Sequence, residues 1–266
     1  MLLENRVSFR IASGTVPAVL WSGGLDSTFM LLRLLEEHRA PLDNIMLLSF
    51  NTYHSTTSVK EKPADISPQA KRERKARRVL LKMLEKDFPK TTFNDYNMPV
   101  LMACSRGRRV GEFLYQPIRW LFEACTFLPQ ESTIFYGLVK GDQGLTQLDK
   151  SAAFFDFMKQ LYESPDLHLR LPLVDTSKWE IIQVMRKYHP KYLKHISYCE
   201  YPDGTKPCSV SNRGTLCHSC RIYLLNQEIA DKITIADTAV KECSEEEEAV
   251  YDTHDEQVIK EEVNNG

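Results

Sequence analysis

The sequence predicts an α/β protein: a mostly parallel sheet with helices on both faces, and a small four-cysteine element near the C-terminal end. Three observations predict it. Short apolar runs of strand length alternate with amphipathic stretches of helical spacing, the pattern of a parallel sheet buried on both sides. The first apolar run feeds directly into SGGLDS, Ser22 to Ser27, and then into a helix. Four cysteines, Cys199, Cys208, Cys217 and Cys220, fall within 22 residues. The 266 residues suffice for one large α/β domain, or for one with a small appendage.

In chain order, residues 1–15 form an extension that can add an edge strand. PAVLW (Pro17 to Trp21) is a short buried strand, and STFMLLRLLEEH (Ser27 to His38) has helical spacing with a charged end. NIMLLSF (Asn44 to Phe50) reads as a second buried strand. The stretch from Asn51 to Pro68 reads as a loop, with two prolines and many small polar residues. Gln69 to Lys86 is expected to be a helix, with KRERKARR (Lys71 to Arg78) on its solvated face. TTFNDYNM (Thr91 to Met98) is a third strand, IRWLFEACTFL (Ile118 to Leu128) a helix, and STIFYGLV (Ser132 to Val139) a fourth strand.

From Leu171 the character changes. LPLVDTSKWEIIQVMRKYH is a short strand or turn leading into a helix that starts near Thr176 to Lys178. The cysteine-rich stretch follows, then a short helix, RIYLLNQEIADK (Arg221 to Lys232). Tyr192, His195 and Tyr198, just ahead of the cysteines, read as packing residues. The C-terminal segment, with EEEE at Glu245 to Glu248, lacks an apolar period and reads as a flexible acidic tail.

The formal net charge of -2 argues against wholesale nucleic-acid binding. No apolar run approaches the ~20 residues needed to cross a bilayer. The first ten positions mix acidic, basic and polar residues, so no signal peptide is expected and a cytoplasmic protein is. Cys104 and Cys125 sit in apolar surroundings, as core thiols do, while Cys243 lies in the acidic tail.

A strand, a glycine-rich turn and a helix together make an anion site. Gly23 and Gly24 remove side chains where backbone must approach a ligand closely. The helix N-terminus supplies unpaired amides and the positive end of a dipole. Ser22 and Ser27 can donate hydroxyl hydrogen bonds to phosphate oxygens, and Asp26 can hold a Mg²⁺ that binds them. A Walker loop would carry a lysine for the β/γ-phosphates, and none is present.

The four cysteines run C-x8-C-x8-C-x2-C. Tetrahedral zinc needs four ligands converging at ~2.3 Å, and a CxxC turn delivers two of them. The intervening Gly, Pro, Ser and Asn suit a loop wrapped around a metal. His218 can replace one ligand, but four thiolates are the simpler set. In a reducing compartment such a cluster favours metal over disulfides. With four protein ligands the site is closed, which makes it structural rather than catalytic.

SGGLDS resembles the SGGxDS signature of the PP-loop ATP pyrophosphatases, whose fold is Rossmann-like and adenine-nucleotide α-hydrolase-like. The resemblance implies ATP cleavage between the α- and β-phosphates, adenylation of a carbonyl or carboxylate oxygen, and pyrophosphate release. It implies that Ser22, Gly23, Gly24, Leu25, Asp26 and Ser27 hold the nucleotide. The added four-cysteine element resembles the 7-cyano-7-deazaguanine synthase (QueC) family, which converts 7-carboxy-7-deazaguanine, ammonia and ATP to the nitrile. LPLVDTSKWEII is similar to that family's segment ahead of its zinc loop, with Lys178 at the matching lysine. Cys199 and Cys208 keep its eight-residue spacing, and SCRIY, with Arg221, is similar to its closing segment. GLVKGD, with Gly137 and Asp142, resembles its strand-end segment; Arg119, Tyr53 and His54 are similar to further family positions. The chain departs from the family between Cys208 and Cys217 and after Asp142. There QGLTQLDKSAAF leaves Asp149 and Lys150 as the acidic and basic residues in place of the expected substrate segment.

The resemblance implies a divergent member, an ATP-dependent C–N ligase, with four segments. These are the extension 1–15, a PP-loop ATP-binding domain 16–190, a zinc-binding element 191–230 and the tail 231–266. Asp26, Lys178 and Asp142 are the candidate catalytic residues, with ATP, Mg²⁺ and a structural Zn²⁺ as cofactors. The implied substrates are a 7-deazaguanine carboxylate and ammonia. Two other acceptors share the chemistry: a protein acceptor, as in QueC-like enzymes of antiphage defence systems, and tRNA, as in PP-loop tRNA-modifying enzymes. KRERKARR lacks the interleaved aromatics that stack bases, which disfavours nucleic acid. A membrane role is not expected, and a homodimer is compatible with the sequence.

Overall fold

A computed structural model of the chain describes residues 8–38, 42–55, 68–103, 112–129, 131–142, 145–146, 148–164, 166–199, 208 and 216–233. The strands are β1 (Val16–Leu20), β2 (Asn44–Ser55), β3 (Thr92–Ala103), β4 (Ser132–Phe135) and β5 (Leu167–Arg170). Between and after them lie α1 (Leu25–Glu37), α2 (Pro68–Asp87), α3 (Glu112–Phe127), α4 (Leu148–Leu161), α5 (Lys178–Tyr188), α6 (Pro190–Leu193) and α7 (His218–Lys232). The five strands form one sheet in the order β3-β2-β1-β4-β5, and every pairing is parallel. The chain divides into a compact unit, Met1–Ala230, and a second, Asp231–Gly266.

Alternate residues of the central strands bury opposite ways, because successive side chains leave a strand on opposite faces. Val19, Ile45, Leu47 and Phe135 join a core completed by Leu31 and Leu34 of α1, Leu80 and Leu84 of α2, and Ile181 and Met185 of α5. Ala18, Leu20, Leu48 and Ile134 join the other core, with Leu121 and Ala124 of α3 and Phe155 and Met158 of α4. Both faces are therefore covered, and VPAVL is apolar throughout rather than alternating.

The sheet departs from expectation in several places. β2 runs on through the polar NTYHS to Ser55, because its parallel ladder with β3 continues from Asn44↔Thr92 to Ser55↔Ala103. Backbone pairing extends the strand beyond its apolar part, so Tyr53 and His54 belong to β2. β4 is shorter than expected, and residues 136–139 form no strand. Neither α4 nor β5 was expected. The buried stripe of α4, Ser151, Phe155 and Met158, is blurred by exposed Phe157 and Leu161, and β5 has only four residues. Among residues 8–15 there is no strand; Ala12 instead donates its amide to the Thr133 hydroxyl (3.1 Å), tying the segment to β4. Cys125 is a core thiol, and its burial pushes its pKa up to about 12. Cys104, Cys243 and the tail beyond residue 233 lie outside the described residues. No helix among the described residues is long and apolar enough to cross a membrane.

Candidate functional site

In this strand order β1 is central, and the chain reverses direction across the sheet between β1 and β4. An open parallel sheet binds ligands in the crevice outside the carboxyl ends of the strands at such a switch point. Ser22 to Ser27 follow β1, Asp142 follows β4, and Lys178 follows β5. All three segments therefore reach the same edge.

The loop after β1 is held from several sides. Trp21, fully buried, takes up the last ladder position with its amide on the Leu48 carbonyl (2.7 Å), and its indole donates to the Thr28 hydroxyl (3.2 Å). Ser22 donates its amide to the Ser27 hydroxyl (3.3 Å), while the Gly24 amide donates to the Ser22 hydroxyl (3.1 Å). Gly23 has φ +76, and a Cβ there would sit 2.7 Å from Cγ of Arg77. Its carbonyl accepts the Ser197 amide (2.9 Å). Gly24 caps α1 without a side-chain bond, so the amides of Leu25, Asp26 and Ser27 lie in a first turn with no intrahelical acceptor.

Lys178 links the three segments. Its ammonium lies 3.1 Å from Oδ2 of Asp26 and 3.2 Å from Oδ1 of Asp142. Two hydrogen-bonded supports bring the groups together. The Lys140 amide donates to the Thr176 carbonyl (3.0 Å), and the Val139 amide donates to Oδ2 of Asp142 (3.2 Å). The Ser177 amide donates to the Glu180 carboxylate (2.7 Å), a capping box that sets Lys178 at the first position of α5.

Burial raises the Asp26 pKa above the ordinary carboxylate range; Lys178 opposes this and Asp142 adds to it. Burial also works against the Lys178 ammonium, but the two carboxylates outweigh it and raise its pKa above an ordinary lysine's. Oδ1 of Asp26 is buried with no hydrogen-bond partner. Such an atom is costly unless something else completes it. With Asp142 it offers the all-oxygen donor set that suits a hard divalent cation such as Mg²⁺.

The four cysteines converge as the spacing anticipates. Their sulfurs lie within 4.8 Å of one another and can hold a metal ion. None of them forms a disulfide. The Cys199 sulfur is 3.8 Å from that of Cys208 and 3.9 Å from that of Cys217. A tetrahedron with ~2.3 Å metal–sulfur bonds has edges of about 3.8 Å. The Cys208, Cys217 and Cys220 amides donate to the sulfurs of Cys199 (3.4 Å), Cys208 (3.2 Å) and Cys217 (3.4 Å). Burial works against the Cys208 thiolate, but the Cys217 amide and the neighbouring thiols prevail and hold its pKa down to about 7. Tyr198 and Tyr223 stack beside the cluster at 4.1 Å.

Other expected residues fall elsewhere. Asp149 and Lys150 are exposed at the start of α4. Tyr192 and Tyr198 pack, but His195 is exposed and is not a packing residue. Arg119 lies on α3. The fully solvated face expected for KRERKARR is corrected. Lys71, Arg74, Lys75 and Arg78 are exposed, whereas Arg72 and Arg77 are buried, because they lie on the side of α2 turned toward the sheet and the cysteine element. Arg72 donates to the Cys199 carbonyl (3.1 Å) and lies 4.0 Å from its sulfur. Arg77 crosses beside Gly23 to the Asn97 side-chain oxygen (3.1 Å). The available signal was the apolar stripe of α2: Arg77 precedes Leu80 and Leu84 by one and two turns on the same side. Compared with protein-family models, the chain matches none, and comparison with curated proteins also finds no match.

Proposed function

We propose that the chain is an ATP-dependent, adenylate-forming C–N ligase of the PP-loop type, related in chemistry to the 7-cyano-7-deazaguanine synthases. The observation that carries this reading is the buried, partnerless Oδ1 of Asp26, set beside the open amides of α1 where three strand ends meet. A carboxylate oxygen that still lacks a partner and amides that need an anion, side by side, suit a metal-bound phosphate chain better than any single ion. The missing loop lysine favours pyrophosphate over a γ-phosphate transfer site.

On this reading the Ser22–Ser27 loop cradles the departing pyrophosphate, and a Mg²⁺ held by Asp26 and Asp142 would supply charge neutralisation at the phosphate oxygens. Lys178, which faces both carboxylates, neutralises the phosphate chain or the acceptor carboxylate. A carboxylate oxygen of the acceptor attacks the α-phosphorus, and the bond to the bridging oxygen of pyrophosphate breaks. Ammonia then attacks the acyl carbon, AMP leaves, and an amide forms after loss of a proton. A second activation, at the amide oxygen, would give the nitrile. The chain's contribution is positioning and electrostatics rather than covalent chemistry. The four cysteines hold a structural zinc, a role supported by a sulfur-only set of four ligands.

The test is incubation with ATP, Mg²⁺, ammonium and 7-carboxy-7-deazaguanine, followed by mass spectrometry and a pyrophosphate assay. Consumption of the acid with pyrophosphate release, both abolished in Asp26→Asn, is the expected result. Release that is undiminished in that variant would sink the enzymatic assignment. Pyrophosphate release that needs a protein or tRNA instead of the acid would keep the adenylation and replace the acceptor.

A further inference from the structure

Arg77 is the most deeply buried charged side chain among the described residues, only 2% exposed, and its guanidinium is only partly satisfied. Nη2 donates to Asn97, whose oxygen also accepts the Ser49 hydroxyl (3.2 Å); Nε and Nη1 are buried without a hydrogen-bond partner. Glu73 and Asp95 attract its charge, and Arg74 repels it, but none hydrogen-bonds to either nitrogen. A buried donor left unmade is costly, more so when it is charged, so a purely structural arginine here is a poor choice.

Its position supplies the reason. The aliphatic stem lies against Gly23, the one loop residue with a positive φ, so closely that a Cβ there would be 2.7 Å from Cγ. The guanidinium then reaches Asn97, whose register partner Ser49 lies one residue beyond the last β1–β2 pair. The arginine therefore runs from the glycine loop, just ahead of α1, toward the β2–β3 side of the sheet. The glycine at position 23 makes room for an arginine as well as for a ligand.

We propose that Arg77 is the cationic arm of an oxyanion site whose other half is the first-turn amides of Leu25, Asp26 and Ser27, and that it takes a phosphoryl group of the nucleotide. This inference rests on the nucleotide reading above. An incoming phosphate oxygen would accept a charge-assisted hydrogen bond from Nε or Nη1, which lie on different edges of the planar guanidinium. The desolvation of the arginine is already complete in the folded chain, so binding does not have to supply it again.

The experiment is calorimetric titration with Mg²⁺ and α,β-methylene-ATP, which cannot be cleaved at the α–β bond, with adenosine as the uncharged control. Removing a charge-assisted bond, ~1.5–3 kcal/mol, corresponds to about 10- to 100-fold weaker binding in Arg77→Met. The melting temperature of the ligand-free variant should be unchanged or higher, since an orphaned buried charge is gone, and adenosine binding should be unaffected. Equal affinity for the analogue in wild type and variant overturns the inference while leaving the nucleotide site intact. A loss that is as large for adenosine also overturns it, because the arginine is then structural. If wild type does not bind the analogue, the nucleotide reading itself falls and takes this one with it. Should Arg77→Met fail to fold, Arg77→Lys decides: native-like melting with weakened analogue binding supports the proposal, and undiminished binding overturns it.

Discussion

At the scale of single residues, burial acts in opposite directions on the two ends of one ion pair. It raises the Asp26 pKa and opposes the Lys178 charge, yet Lys178 ends above its ordinary value because it faces two carboxylates. Lys178→Met should therefore leave Asp26 and Asp142 facing each other without a cation, and raise the Asp26 pKa further. An acid whose folded pKa is raised is fully accommodated below its unfolded value, 3.8, and loses stability as pH rises through the folded value. Lys178→Met is thus expected to be less stable than wild type near neutral pH by about 1–2 kcal/mol, discounted for partial exposure. The gap should close as pH falls through the raised Asp26 values, where the carboxyl becomes protonated in both chains. Thermal melts across that range check it, and a pH-independent difference would show that the pair is not coupled as described. Asp26 and Lys178 were both legible as site candidates in the sequence. Arg72 and Arg77 were not, because the run of eight mostly basic residues reads as a solvated face; the only clue to Arg77 was its place one and two turns ahead of Leu80 and Leu84.

At the scale of elements, the site depends on how helix ends are tied. α5 begins where the Ser177–Glu180 capping box puts it, and the Lys140–Thr176 bond joins that start to the loop carrying Asp142. Glu180→Ala is expected to cost about 1 kcal/mol of stability, as the loss of a helix cap does. It should also lower ATP turnover without removing any group that touches the proposed ligand; retained turnover in a destabilised variant would show that the cap serves stability alone. The helix expected to start near Thr176 to Lys178 does start at Lys178, since capping chemistry is local and is written in neighbouring residues. α4 and β5 were missed for the complementary reason. Their buried positions are few, and only packing against α3 and β4 makes them regular.

At the scale of the whole molecule, the cysteine element and the glycine loop are joined. Ser197, two residues before Cys199, donates to the Gly23 carbonyl, and Arg72 runs from α2 to the Cys199 backbone. A metal in the four-cysteine site would therefore steady the loop at a distance, through Ser197 and α2. Chelation, or Cys217→Ser, is expected to remove about one equivalent of metal and lower the melting temperature. It should also weaken nucleotide binding. Unchanged nucleotide affinity in the metal-free chain would separate the two sites. The strand order contributes at the same scale: it brings residues from positions 22–27, 142 and 178 to one edge, which no local spacing could announce.

The sequence by itself determined the class of the molecule, the turn at SGGLDS, the start of α5 and the convergence of four cysteines. Each of these is encoded within a few residues, by periodicity, capping chemistry or ligand spacing. Only the tertiary structure decided that β1 lies at the centre, that Lys178 bridges Asp26 and Asp142, and that Arg77 stands buried beside Gly23. Those facts depend on which elements pack together, and a side chain's partners and burial are properties of the neighbours that long-range packing gives it. VLWSGGLDSTFMLL specifies the strand, the turn and the start of α1; the surrounding sheet and helices bring Lys178 to Asp26 and Arg77 to Gly23.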